Sequence, residues 1–339
     1  MNKKRVLAML LAGAMALSMT ACGGGNSAST DGSSNDGGAS ASGGSYKVSV
    51  ILKTLAAEYW QYVKSGAEDY ASEHSDKVTV EVKGPSSETA FDEMQNMIET
   101  DLSSGSYDGV IISPLQSDTA AQLVSGTKLP IVAIDTNFEA PEVKSFVGTG
   151  NEAAAKKGGE AAVEAAKAAG WTDIKCIEIA GVQGDQTNTA RMNGYKAGVE
   201  EAGGTFLSDE VQYADATADR ATTAMEAIMQ THPEGIAIIC ANNDDMAMAA
   251  ARAAQGHDAY KNTIFLGFNG DRAACEAILD GQMTMSVAQM AYEMGYKAVE
   301  TMVQVLDGET VDEFVDSGSD VVTPDNAQER LDTLKTQLH

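Results

Sequence analysis

Polar side chains gather where the apolar runs of this chain end, and those ends are where chemistry can take place. They read Lys53-Thr54, Ser113-Pro114, Asp135-Thr136, Gln183 to Thr189, Asn242-Asn243-Asp244, Asn269-Gly270 and Gln289. The set is amides, carboxylates and few bases, which makes a hydrogen-bonding surface. It holds no nucleophile paired with a general base, so it suits holding a molecule better than cutting one, and no enzymatic activity is expected. Cys176 and Cys240 lie in apolar strand-like runs and Cys275 in a helix-like one. With no C-x-x-C pair and no His at metal spacing, they read as small buried hydrophobes rather than a disulfide or a zinc site. His74, His232, His257 and His339 fall at helix ends, turns or the C-terminus, and no two are placed for catalysis or metal.

Those ends need a frame, and the sequence supplies one. From residue 46 onward, short β-branched runs alternate with helix-length amphipathic segments, the spacing of β-α units in a parallel sheet. Strands are predicted at 48–54, 78–84, 109–115 and 130–136, with a short fifth at 145–150. The pattern then restarts with IKCIEIAG, TFLSDEV, GIAIICAN, TIFLGFNG and MTMSVAQM. Between them lie helices such as ETAFDEMQNMIETDL, where Phe91, Met94, Met97, Ile98 and Leu102 form one apolar stripe. The methionines mostly fall on such stripes and read as core. Two consecutive sets of β-α units predict an α/β fold of two doubly wound, Rossmann-like lobes with a ligand cleft between them.

Length agrees with two lobes: 339 residues, 43% hydrophobic, exceed one ordinary domain. The formal charge of −26 repels a polyanion, so nucleic acid is a poor partner. Residues 1–21 carry Lys3, Lys4 and Arg5 before an apolar run too short to span a bilayer comfortably, the layout of a secretory signal. Met19-Thr20-Ala21-Cys22 resembles the bacterial lipobox, which implies cleavage before Cys22 and lipidation of that cysteine. Residues 22–45, rich in Gly and Ser, then form a flexible tether. Its roughly 23 residues give an end-to-end distance of about 25–30 Å, enough to stand a folded part off a membrane surface.

After residue 46 the chain resembles the ribose-type periplasmic sugar-binding proteins, the type I family that serves ABC transporters. The resemblance rests on VSVILKTLAAEYWQYVKSGAEDYA, VIISPLQSDTAAQLV, LPIVAIDTN, TARMNGYKAGVEEA, HPEGIAIICANNDDMAMAAARA, FLGFNGDRAACEAI and VAQMAYEMGYKAVETM, in order and at family spacing. It places the cleft positions on Tyr59, Trp60, Asp135, Arg191, Asn243, Asn269 and Gln289, with Lys53 in the first loop. The chemistry of each suits a sugar. Asp135 accepts from two hydroxyls, Arg191 donates in a fixed fork, and Asn243, Asn269 and Gln289 do both. Tyr59 and Trp60 offer a flat wall for the C–H face of a ring, although a helix core would use the same pair. Asp135 and Asn243 are equally suited to capping the helices that follow.

The resemblance also implies three crossings between lobes, near Thr149, Gln289 and Ser317, which act as a hinge. One lobe then comprises residues 46–149 with 290–317, and the other 150–289 with 318–339. The implied protein is a monomer without cofactor or metal, anchored by lipid on the outer face of the cell membrane. It captures a sugar and delivers it to an ABC-transporter permease. Departures narrow the ligand. Lys53 and Ala57 stand where the family has serine and asparagine, Thr136 replaces an arginine, and Asn269 replaces an aspartate. The far-lobe stacking aromatic has no counterpart unless Tyr213, or a residue between Ala214 and Asp219, takes that wall. A pentose other than ribose, a hexose or a polyol is the expected ligand.

Three other readings share features of the sequence. Gly148-Thr149-Gly150-Asn151-Glu152-Ala153 fits G-x-G-x-x-A, with Glu178 downstream as a ribose-binding acid, which suggests a dinucleotide-dependent enzyme. A transcription regulator with the same ligand core needs a basic helix-turn-helix, which a leader and tether do not supply. A binder of a nucleoside or furanosyl signal, feeding a sensor, uses the same kind of cleft.

Overall fold

Runs of Val and Ile become parallel strands and the amphipathic segments become the helices that cover them. The computed structural model describes residues 45–338; the leader, Cys22 and the tether up to residue 44 lie outside the described residues. The chain begins β1 (Tyr46–Ile51), α1 (Glu58–Glu73), β2 (Val78–Lys83), α2 (Phe91–Ser104), β3 (Gly109–Ile112), α3 (Ser117–Val124), β4 (Ile131–Ile134) and β5 (Val143–Gly148). It continues with α4 (Asn151–Ala168), β6 (Lys175–Ala180), α5 (Gln186–Glu201), β7 (Thr205–Phe206), β8 (Gln212–Tyr213), α6 (Ala218–Thr231) and β9 (Ile238–Ala241). Then come α7 (Asp244–Ala254), β10 (Ile264–Asn269), α8 (Arg272–Leu279), β11 (Met285–Gln289), α9 (Ala291–Leu306), β12 (Phe314–Asp316), β13 (Ser319–Val322) and α10 (Ala327–Lys335).

These strands form two sheets, one per lobe. The first runs in the order β2-β1-β3-β4-β5-β12, and every pair in it is parallel. The second runs β7-β6-β9-β10-β11-β13 with β8 also on β6, and only β13 is antiparallel. Strand order reverses between β1 and β3 in one lobe and between β6 and β9 in the other. Such switch points open a crevice at the carboxyl ends of the strands. The chain passes between sheets after β5, after β11 and between β12 and β13, and there Thr149 Oγ1 and Ser317 Oγ lie 3.2 Å apart.

Both sheets are buried on two faces, which is why their strands read as continuous apolar runs rather than alternating ones. β3, β4 and β9 are buried at every position. In α2 the stripe behaves as its spacing predicts: Met94 and Ile98 are buried, and Phe91, Met97 and Leu102 pack beside them. Two helix pairs approach closely through glycine. A Cβ on Gly66 of α1 would sit 2.0 Å from the carbonyl oxygen of Tyr292 in α9, and one on Gly198 of α5 would sit 2.1 Å from that of Lys156 in α4.

The segment TFLSDEV, expected as one strand, keeps only Thr205–Phe206 in β7 before a 3-10 turn at Ser208–Glu210. Three consecutive polar residues there favour a turn over a buried strand. Cys176, Cys240 and Cys275 are buried and unbridged. The β6–β9 register pairs Cys240 with Glu178, not with Cys176, so the two thiols meet only diagonally, at 3.3 Å.

Candidate functional site

The switch points of the two sheets face one another across a cavity lined from both lobes. About 60 Å³ of it is open to the centres of water molecules. At ~10–15 Å³ per water that is room for roughly four to six, the volume of one small sugar ring. The first lobe contributes Lys53, Ala57, Tyr59, Trp60, Glu88 and Asp135. The second contributes Gly181, Val182, Asp185, Thr187, Asn188, Arg191, Ala216, Asn242, Asn243, Asp245 and Asn269. Seven residues anticipated for the site therefore converge here: Lys53, Tyr59, Trp60, Asp135, Arg191, Asn243 and Asn269.

On the first-lobe side, α1 begins at the wall and presents two aromatics from its first turn. The Tyr59 and Trp60 rings meet edge to face at 4.9 Å, so they offer one face and one edge rather than two parallel plates. Tyr59 donates its hydroxyl to Asp135 Oδ1 at 2.8 Å, and burial, then the Asp135 charge, push that phenol well up. Trp60 Nε1 donates to Glu88 Oε1 at 3.0 Å. Burial raises the Glu88 carboxyl above its ordinary range, although Lys53 pulls the other way. Asp135 follows β4 with φ of 62°, a left-handed conformation that is strained for this residue. Its own amide donates to Val147 O at 2.9 Å, and Thr136 Oγ1 donates to Asp135 Oδ2 at 2.9 Å, which fixes the carboxylate.

On the second-lobe side, Arg191 is the organising cation. Its Nε donates to Asn151 Oδ1 and its NH1 to the Asn242 carbonyl, both at 2.8 Å, while the guanidinium lies 3.8 Å over the Phe268 ring. Asn188 Oδ1 accepts from the Gly181 amide at 2.6 Å. Asn243 lines the cavity and also caps α7, because its Oδ1 accepts from the Met246 amide at 2.9 Å. Asn269 has φ of 131° and is held from behind by Gln289, whose Nε2 donates to Asn269 Oδ1 at 3.0 Å. Gln289 itself is fully buried and stands one layer behind the lining, with Oε1 unpartnered.

The lobes touch directly across the cleft. Lys53 Nζ pairs with Asp185, and both side chains are 6% exposed. Burial alone would lower the Lys53 pKa, but Asp185, Asp135 and Glu88 together hold it above the ordinary value. Thr136 and Thr187 share a hydroxyl contact of 2.7 Å, and Arg272 Nε donates to Glu58 at 3.0 Å. Asp185 has a second task as the N-cap of α5, accepting from the Asn188 amide at 2.8 Å.

Glu88 has no signal in the sequence, since it sits in the β2–α2 loop away from any strand end. Asp185, Asn188 and Asn242 fall inside strand-end segments but were not singled out there. Ala216, not Tyr213, reaches the cavity from the far-lobe segment; Tyr213 is 43% exposed. Glu178 lies fully buried in the middle of β6, where it is closed to a dinucleotide ribose, and this removes the acid on which that alternative depended. Among the described residues no cluster suits a metal ion, and no helix is long and apolar enough to cross a membrane.

Two parallel-sheet lobes with a polar cavity between their switch points define a bilobal binding protein. The chain belongs to the family described as periplasmic binding protein domain, whose model matches residues 48–310. It is 27% identical over 274 residues to the ribose import binding protein RbsB of Bacillus subtilis, covering 80% of this chain and 85% of that protein. It is 30% identical over 264 residues to the D-allose-binding periplasmic protein of Escherichia coli, covering 75% and 82%. Among solved structures, a carbohydrate transporter solute binding protein from Agrobacterium radiobacter with D-arabinose matches with a TM-score of 0.77 at 23% identity, covering 88% of this chain and 100% of that one. A solute binding protein from Agrobacterium vitis with bound D-fucose matches at 0.75 and 24%, covering 86% and 100%. At that identity the structural likenesses speak for the fold alone.

Proposed function

We propose that this protein captures a neutral monosaccharide or polyol between its lobes and delivers it to an ABC-transporter permease. One observation carries the reading: Asp135 from one lobe and Arg191 from the other line a single ring-sized cavity beside the Tyr59–Trp60 wall. An acceptor and a donor fork on opposite walls match a ligand whose hydroxyls do both, and such a ligand favours the closed state by bonding to both lobes. Relatives named for ribose and D-allose support the same ligand class.

Charge narrows the class further. Glu88, Asp135, Asp185 and Asp245 outnumber Lys53 and Arg191 in the lining, and Lys53 is already paired with Asp185. A sugar phosphate or sugar acid would meet this excess of carboxylate with Arg191 alone to offset it, so the ligand is uncharged. Ala57 and Ala216 leave the wall shallow at two points and add no polar contact there.

The binding set is Lys53, Tyr59, Trp60, Asp135, Arg191, Asn243 and Asn269, with Gln289 positioning Asn269. The hinge lies at Thr149, Gln289 and Ser317. The lobes divide there into 46–149 with 290–317 and 150–289 with 318–339. The mature protein is a monomer held by lipid at Cys22 on the outer face of the cell membrane; Cys22→Ala shifts it to the soluble fraction on cell fractionation. Binding is tested by thermal shift of the tagless mature chain against D-ribose, D-allose, D-fucose, D-arabinose, myo-inositol, a nucleoside and NADH. A ligand selective for the folded state raises the melting point. A response to NADH alone, or turnover of any of these compounds, refutes the reading.

A further inference from the structure

Arg330 stands outside the cavity, yet its guanidinium holds two of the pieces that shape it. It lies on α10, the last helix, whose Ala327, Leu331 and Leu334 are buried in the largest core cluster. α10 packs on α8, the helix that follows the Asn269–Gly270 turn, and it lies beyond residue 310, where the family match ends. The chain enters it from the third crossing: Ser317 leads into β13, which pairs antiparallel with β11 and sets Ser319 opposite Gln289, and β13 leads into α10.

Each branch of the guanidinium has its own partner. NH2 donates to the Gln289 carbonyl at 2.7 Å, Nε to the Gly270 carbonyl at 3.2 Å, and NH1 to Met290 Sδ at 3.2 Å. Gln289 and Met290 are the second crossing itself: Gln289 ends β11 of the second sheet, and Met290 opens α9, which packs on α1 of the first lobe. The contacts close a ring. Arg330 holds the Gly270 carbonyl, the chain joins Gly270 to Asn269, Asn269 Oδ1 accepts from Gln289 Nε2 at 3.0 Å, and the Gln289 carbonyl returns to Arg330. The amides of the turn are held from within the second lobe, Gly270 by Ser286 Oγ and Asp271 by Asp244 Oδ2, both at 3.0 Å. Arg330 therefore supplies the link from the turn to the backbone of the crossing.

We propose that Arg330 is a positioning residue for the binding site: its fork ties the second hinge crossing to the Asn269–Gly270 turn and so sets the direction in which the Asn269 amide meets the ligand. Asn269 has φ of 131°, and a conformation of that kind persists only where its surroundings over-determine it. Gln289 fixes the Asn269 side chain, but Gln289 itself sits at a crossing; Arg330 fixes that crossing to the same turn. A guanidinium suits the task because its N–H groups point in fixed directions within one plane and can hold three acceptors together. A lysine ammonium is one point on a flexible stem and cannot reproduce the geometry.

The test has a ligand-free arm and a ligand arm, the second resting on the sugar-binding reading above. It compares Arg330→Met, which keeps an apolar stem and removes the fork, with Leu334→Ala, which weakens the docking of the same helix and leaves the ring intact. In the full mature chain without ligand, the side-chain amide resonances of Asn269, assigned with Asn269→Ser, should move in Arg330→Met and stay in place in Leu334→Ala. In the ligand arm, calorimetry with D-ribose, D-allose, D-fucose, D-arabinose and myo-inositol should show Arg330→Met losing about three- to tenfold in affinity for the bound sugar, the size of one misaimed hydrogen bond. Leu334→Ala should stay within twofold of the natural protein, although urea unfolding shows it destabilised. If Arg330→Met does not fold, Arg330→Lys, which keeps the charge without the fork, supplies the same comparison. Asn269 resonances unmoved by loss of the fork, affinity within twofold in that variant, or an equal affinity loss in Leu334→Ala overturns the proposal. If none of the five sugars binds, the functional reading fails while the Asn269 resonances still decide the role of Arg330.

Discussion

Replacing Lys53 by Met tests whether the ion pair across the cleft sets the affinity for ligand. Across the cleft Lys53 Nζ pairs with Asp185, and both side chains are 6% exposed. The Met variant leaves the Asp185 carboxylate buried against a neutral neighbour. Removing one partner of a buried pair costs about 3–5 kcal/mol. Asp185 keeps its bond from the Asn188 amide, which places the cost toward the lower end. An open cleft hydrates Asp185 and escapes this cost, so the penalty falls on closure, and closure is required for both walls to grip one ligand. Apparent affinity scales with the population of the competent state, so a 3–5 kcal/mol bias against it weakens binding by up to roughly 150- to 5,000-fold. Asp185→Asn in the same background removes the orphaned charge and retains a capping oxygen, and should recover most of the loss. Titration calorimetry with the sugars named above gives the affinities, and solution scattering of the ligand-free variants reports the opening. Affinity within threefold of the natural protein in Lys53→Met refutes the argument. A loss that Asp185→Asn does not repair would place Lys53 on the ligand instead.

Arg191→Ala should cost about 1.5–3 kcal/mol of binding for each bond the guanidinium makes to the ligand, and about 2–4 kcal/mol of stability because Asn151 Oδ1 and the Asn242 carbonyl lose their donors; calorimetry and urea unfolding separate the two. Glu178→Gln changes the pH dependence of stability in a defined direction. A carboxyl raised from 4.5 to about 8 favours the folded state fully below 4.5, and that contribution is lost as pH rises toward 8. The natural protein should therefore equal the Gln variant near pH 4.5 and fall below it by up to about 4–5 kcal/mol at pH 8, as urea unfolding at the two pH values would show. Gly66→Ala forces a Cβ to within 2.0 Å of the Tyr292 carbonyl oxygen, which prises α1 from α9 and should cost about 1–3 kcal/mol in the same assay.

The lobes were legible because parallel strands buried on both faces write themselves as short β-branched runs, and amphipathic helices fill the gaps. Local sequence told less about where strands stop. The run predicted from 48 to 54 leaves the sheet at Ile51, since Lys53 turns toward a partner in the other lobe. In the site, Asp135, Asn243 and Asn269 were legible as polar residues ending apolar runs, whatever their eventual contacts. Glu88 was not, because an acid in a loop ahead of a helix looks like any other solvated charge until the fold sets Trp60 Nε1 against it. The Lys53–Asp185 pair joins residues 132 positions apart on different lobes, and no local pattern encodes such a meeting. Glu178 was visible as an acid in a strand, but its complete burial is a fact of three dimensions.

The strain in this molecule falls on cavity residues of both lobes. Among the described residues other than glycine, positive φ occurs at Asp135, Asp215, Ala216 and Asn269, and three of these line the cavity. Each such conformation costs about 1–3 kcal/mol and persists only where its surroundings over-determine it. At Asp135 those surroundings are the Tyr59 hydroxyl, Thr136 and the Val147 carbonyl. At Asn269 they are Gln289 and the tight turn at Gly270, where a Cβ would meet that of Ala288 at 2.3 Å. An acceptor on one lobe and an amide on the other are thus held in fixed directions before any ligand arrives. Fixing them beforehand removes part of the ordering cost of binding, so under the proposed function a ligand as small as a single sugar ring, with few atoms to contribute, would still have enough contacts to close the cleft.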